Sequence, residues 1–107
     1  GKPPPLMAAA RSAGYEVRLD EPCADLAERV AGLLALPELV VSIERGKRTR
    51  SVDIRGATLT LEVASAESLN MRLQIGEGAA CRPEDVLAAL SLSAAAITRT
   101  DIKYEFD

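Results

Sequence analysis

Residues 45–55 read Arg-Gly-Lys-Arg-Thr-Arg-Ser-Val-Asp-Ile-Arg, and what the chain does on either side of them decides the fold. Before this stretch, Leu39, Val41 and Ile43 recur at every second position, the period of a half-buried strand. After it, Val52 and Ile54 resume the same alternation. Two strands interrupted by a polar segment containing glycine read as a β-hairpin, so residues 45–50 are expected to form its loop, with Gly46 supplying any positive φ. On a continuing strand, Asp53 and Arg55 would share the face opposite Val52 and Ile54.

Towards the N-terminus, Pro37 ends a helix whose Leu26, Val30, Leu33 and Leu34 stand at offsets of four, seven and eight, one apolar stripe. Pro22 suits a first helical position, where its missing N–H costs nothing. Tyr15, Val17 and Leu19 alternate with Glu16, Arg18 and Asp20 as a first strand. Gly14 is read as ending a helical turn over residues 6–11, and Pro3, Pro4 and Pro5 stiffen the lead-in towards polyproline II. Residues 1–13 are therefore expected to be a linker and lead-in, and residues 14–107 one domain. The Gly-Lys-Pro-Pro-Pro opening without an initiating Met is expected of a piece cut from a longer protein.

Towards the C-terminus, Leu59, Leu61 and Val63, then Leu69, Met71, Leu73 and Ile75, predict two amphipathic strands joined by a short turn. Pro83 opens a second helix, with Glu84 and Asp85 in its first turn and Val86, Leu87 and Leu90 on its inner face. Residues 97–106 form a last strand, in which Ile97 and Ile102 differ in parity, so a bulge is expected near Arg99. The order β-α-β-β-β-β-α-β predicts an α+β fold, two helices on one face of a mainly antiparallel sheet, an elaborated ferredoxin-like sandwich.

The totals bound the function. At 107 residues the chain can bury one core, and with three aromatic residues that core must be aliphatic. A net charge of −3 excludes a globally basic nucleic-acid binder but not a local basic patch. No apolar run approaches the roughly 20 residues that span a bilayer, and two lone thiols, Cys23 and Cys81, fit a reducing cytoplasm better than a disulfide framework. Without histidine there is no His-based triad or His-ligated metal, and two separated cysteines do not fill a tetrahedral shell. Gly76-Glu77-Gly78 lacks the Gly-Lys-Ser/Thr of a phosphate-binding loop. The expectation is a domain that is not an enzyme, with no cofactor and no metal. Arg45, Lys47, Arg48 and Arg50 put four positive charges in six residues, with Arg55 close behind. Such a cluster either contacts phosphate or an acidic partner, or keeps a solvated hairpin tip from aggregating.

Gly46-Lys47-Arg48-Thr49-Arg50-Ser51-Val52-Asp53-Ile54-Arg55 resembles the GKTREVDIR stretch of the radical-SAM-linked proteins of unknown function, encoded beside or fused to a B12-binding-type radical SAM enzyme in bacteria. Pro5-Leu6-Met7 leading to Tyr15-Glu16-Val17 is similar to the start of that family's second half. Cys81-Arg82-Pro83-Glu84-Asp85-Val86-Leu87 resembles its RPDELL helix start, and residues 97–106 its closing RTxxYF strand. The resemblance covers the C-terminal half of the family. It implies an accessory domain that docks to a radical SAM enzyme or presents substrate to it, while the charge cluster itself marks Arg45, Lys47, Arg48, Arg50 and Arg55 as the candidate anion- or partner-binding residues. It does not imply that this chain holds the iron–sulfur cluster, which needs three closely spaced cysteines. The alternative is an RNA-binding accessory domain using the basic hairpin of residues 45–55.

Overall fold

Twelve consecutive residues, Ala8–Leu19, form the first strand (β1), which holds the molecule together by pairing on both sides. This computed structural model describes residues 8–76 and 81–106, with the side chains of residues 8, 9, 45, 105 and 106 outside that description. The elements that follow are α1 (Leu26–Leu34), β2 (Val40–Arg45), β3 (Arg48–Asp53), α2 (Ile54–Ala57), β4 (Thr58–Ser65), β5 (Ser68–Gln74), α3 (Pro83–Ala89) and β6 (Ala94–Phe106). The fold is α+β, as the alternation patterns require. Strands β4, β5, β1 and β6 form one antiparallel sheet in that order, while β2 and β3 form a separate two-stranded sheet. With β2, β3 and α2 set aside, the remaining β-α-β-β-α-β path and its strand order fit a ferredoxin-like sandwich.

Three expectations are corrected. Residues 8–11 are strand and not a helical turn, so β1 takes in residues 8–13 of what reads as a lead-in. Small residues there (Ala8, Ala9, Ala10, Ala13) carry no alternation signal, and the pairing with β6 across the whole chain supplies the missing determinant. The helix after Pro22 starts at Leu26, with Asp25 in the N-cap position. Beyond Asp53 the chain turns into the short helix α2, so Arg55 is not on a strand. The proline lead-in at Pro3, Pro4 and Pro5, and Glu77 and Gly78 of the Gly76-Glu77-Gly78 stretch, lie outside the described residues.

One face of the large sheet carries the core. Val17 and Leu19 from β1, Leu61 from β4, and Leu69, Met71 and Leu73 from β5 meet Leu26, Val30 and Leu33 of α1. Val86, Leu87 and Leu90 complete the cluster from the α3 side. Ile54, fully buried, ties the base of the small sheet into the same cluster together with Val52. Strand β5 keeps the expected alternation. In β4 a register shift at Leu59 leaves that side chain 50% exposed, and Val63, in register opposite Leu69, is 38% exposed, so that only Leu61 of the three alternating residues is buried. The bulge expected near Arg99 falls at Thr100, where the pairing with β1 skips from Asp101 to Arg99 and so restores Ile97 and Ile102 to one face.

Helix α3 is closed at both ends by named groups. The Arg82 backbone N–H donates to Asp85 Oδ2 at 3.0 Å, so Asp85 caps the helix start as well as complementing its dipole. At the far end Leu92 N–H reaches Leu87 O at 2.9 Å and Ser91 N–H reaches Ala88 O at 3.1 Å, with Ser91 at φ 58, a Schellman ending with serine where glycine is usual. Ser91→Gly is expected to raise stability by about 0.5–1 kcal/mol, the relief of a left-handed side chain less glycine's entropy cost. A urea midpoint that does not rise would show that the serine conformation carries no strain.

Candidate functional site: a basic hairpin set apart from the main sheet

Val41, Ile43 and Val52 set the inner face of the small sheet, because they pack against the core cluster from one side of the ribbon. Register then fixes the rest. Val41 opposes Val52, Ile43 opposes Arg50, and residue 45 opposes Arg48, so Arg48 and Arg50 continue the face that begins as core. The opposite face carries Val40, Ser42 and Glu44 across from Asp53, Ser51 and Thr49. The turn is only Gly46–Lys47, shorter than the six-residue loop expected from sequence, and Arg48 and Arg50 belong to β3. Gly46 has φ +62 and Lys47 does not have a positive φ, the pattern of a type II′ turn with glycine first. Lys47, Arg48 and Arg50 are exposed.

Of the five residues expected to bind an anion or a partner, Lys47, Arg48 and Arg50 are brought together, and the backbone of Arg45 lies beside them. Arg55 is not with them. Its Nε donates to Leu34 O and its Nη1 to Thr58 O, each at 3.2 Å, which closes the end of α1 and the start of β4. The guanidinium is committed to backbone carbonyls, a structural role that spacing alone did not show.

Asp53 anchors the ribbon's base. Its Oδ1 accepts from Leu39 N–H at 2.9 Å, and this bond, followed by one from the Gly56 amide, holds the carboxyl below its usual range. A lowered folded-state pKa contributes stability above the unfolded value of roughly 3.9 and loses it as pH falls through the folded value. Asp53→Asn is therefore expected to cost stability at pH 7 and to cost less at pH 3. Equal losses at both values in urea unfolding would show that the charge is not what matters.

A second group of polar side chains lies at the mouth of the sandwich, in a depression of about 490 Å³ whose lining includes Asp20, Cys23, Asp25, Arg29, Ser91 and Ser93. Arg29 Nε donates to Asp25 Oδ1 at 3.0 Å, and its Nη1 donates to Leu90 O at 3.0 Å and Ser91 O at 3.2 Å, joining α1 to the end of α3. The Cys23 thiol donates to Asp25 Oδ1 at 3.0 Å, and this bond pushes its pKa up. Cys23 is thus held as the thiol, not the nucleophilic thiolate, and Cys81 is buried. Asp25→Asn is expected to speed iodoacetamide labelling of Cys23 at pH 8, and an unchanged rate would count against the thiol–carboxylate bond. Among the described residues no group of three or more His, Cys, Asp or Glu side chains stands ready to hold a metal, and no helix is long and apolar enough to cross a membrane.

On the helix-free face, Arg72 bridges both oxygens of Asp101 at 2.6 and 2.8 Å and donates to Ser12 Oγ at 2.9 Å. Gly14 leaves the space: a Cβ there would stand 2.5 Å from Asp101 Oδ1. Sequence gave no signal for this network, since its members come from three strands far apart in the chain. Among the described residues that face also carries Glu16 and Arg18 of β1, Thr60 and Glu62 of β4, Asn70 and Gln74 of β5 and Thr98 and Lys103 of β6, with no aromatic ring on which a base could stack. No family model, no curated protein and no solved structure matches this chain.

Proposed function

We propose that this chain is a non-catalytic accessory domain that docks to a radical SAM enzyme, with the β2–β3 hairpin as the docking element. The resemblance of residues 46–55 to the radical-SAM-linked proteins supplies the partner. The observation that carries the reading is the isolation of the hairpin: it forms a sheet of its own and exposes Lys47, Arg48 and Arg50. A ribbon kept only to fill the core has no need of three exposed cations beyond its buried base. Those cations also stand against the charge of the remainder. Without Arg45, Lys47, Arg48 and Arg50 the chain has nine Lys and Arg against 16 Asp and Glu, a net −7. Such asymmetry orients an approaching acidic surface towards one end of the molecule.

The test is co-purification of the radical SAM enzyme with the wild-type domain and with Arg48→Glu/Arg50→Glu. Recovery by the wild type alone supports docking, and equal recovery by both sinks it. Labelled tRNA provides the contrast. Binding that falls steeply with salt, and that Arg48→Ala with Arg50→Ala removes, would put an RNA contact in place of the protein one. No aromatic side chain lies between residues 40 and 53 to support base stacking, which is why the protein partner is preferred.

A further inference from the structure

We propose that the outer edge of β3 receives an extended acidic segment of the docking partner as an added antiparallel strand, its alternate carboxylates pairing with Arg48 and Arg50. The proposal rests on the docking reading above and names the chemistry of what docks.

The backbone makes the edge available. Among the described residues β2 and β3 pair only with each other. The two-residue turn makes residue 45 and Arg48 the closing hydrogen-bonded pair, and the alternation then makes Ile43–Arg50 and Val41–Val52 hydrogen-bonded pairs as well. The backbone N–H and C=O groups of Thr49 and Ser51 therefore point away from β2, and no strand among the described residues lies beyond them. An unpaired row of this kind is a template for a further strand.

The side chains fix the composition of that strand. Arg48 and Arg50 share one face and stand two residues apart, a repeat of roughly 7 Å along a strand. A partner with acidic residues at alternate positions has the same repeat. Because Arg48 and Arg50 turn their backbone bonds towards β2, they occupy the non-hydrogen-bonded positions facing an incoming strand. Cross-strand side chains approach most closely at those positions. The ribbon's own acidic residues, Glu44 and Asp53, lie on the opposite face, so they do not neutralise the two guanidiniums from across the strand pair. Guanidinium–carboxylate pairing is bidentate, which gives such an interaction register as well as strength.

The experiment measures fluorescence anisotropy of a labelled Glu-Val-Glu-Val-Glu-Val peptide with the intact domain. Arg48→Ala with Arg50→Ala is expected to weaken binding roughly tenfold or more. Ser51→Pro removes one outward N–H and no charge, and is expected to weaken it roughly fivefold. Should that variant fold poorly, a peptide N-methylated at the amides facing β3 makes the same test on the unaltered protein. Equal affinity for the N-methylated peptide overturns strand addition, and so does a labelled oligonucleotide that binds more tightly than the peptide. Enzyme recovery that depends on Arg48 and Arg50 but is not competed by the peptide overturns this inference and leaves docking in place. A peptide that binds as expected, with no recovery of the enzyme, supports the acidic-strand site and removes the radical SAM partner.

Discussion

Leu73→Ala is expected to lower the unfolding free energy by about 3–4 kcal/mol, the upper part of the range for leucine truncations in cores. Leu73 is fully buried on β5 and stands between Ala13 of β1 and Thr58 of β4, themselves 0% and 2% exposed. Backbone ladders hold it on both sides and the helices lie over it, so the surrounding chain cannot close in on the space left by three carbons. The lost transfer energy and the cavity therefore add with little relief. For a domain of this size such a loss moves the thermal midpoint by on the order of 15 °C. Leu73→Met, which keeps the volume, is expected to cost less than about 1.5 kcal/mol. Urea unfolding with an unchanged slope is the measurement. A loss below that figure for the alanine variant would mean that β5 does not lie at the centre of the core.

Gly76→Ala is expected to cost about 2–3 kcal/mol, from two causes that a companion variant separates. Gly76 sits at φ +99 just past β5, in a region where a Cβ is strained whatever surrounds it. A Cβ there would also stand 2.9 Å from Ala10 O, a backbone atom of β1 that cannot swing aside. The neighbouring bond from Ile75 N–H to Arg11 O, 2.9 Å, holds the two chains at that distance. Gly46 has φ +62 but nothing within 4 Å of its added Cβ. Gly46→Ala thus reports the conformational cost alone, about 1–2 kcal/mol. Equal losses for the two would show that β1 and the end of β5 separate easily.

The sequence made the sheet's middle legible and its periphery opaque. Leu69, Met71 and Leu73 are readable because β5 lies between two strands and under helices, so one face is wholly apolar and the other is not. The helix stripe of Leu26, Val30 and Leu33 is readable for the same reason. Residues 8–13 offered nothing to read, since Ala8, Ala9, Ala10 and Ala13 satisfy strand geometry only when β6 is already beside them. The parity conflict between Ile97 and Ile102 was an exact local clue, and the bulge at Thr100 answers it. Leu59 had a similar shift without any conflict in the pattern to announce it.

The candidate site divides along the same line. Clustering of Arg45, Lys47, Arg48 and Arg50 is a one-dimensional property and needed no structure. That Arg48 and Arg50 lie within a strand, share a face and leave a free edge beside them depends on a turn of two residues instead of six. Arg55 was drawn into the cluster by proximity in sequence. Its true partners, Leu34 O and Thr58 O, are set by where α1 stops and where α2 bends the chain. Neither can be inferred from spacing.

The pairing of β1 with β6 has a mechanical consequence. Ala8 opposes Phe106, so the outermost rungs of that ladder lie together at one end of the sheet. Tension applied at residues 8 and 106 runs across the hydrogen bonds instead of along the strands. It opens them one rung at a time from Ala8–Phe106 inwards, so none shares the load with its neighbours. A tether at one of these positions leaves the ladder intact, and a pull between both unzips it at low force.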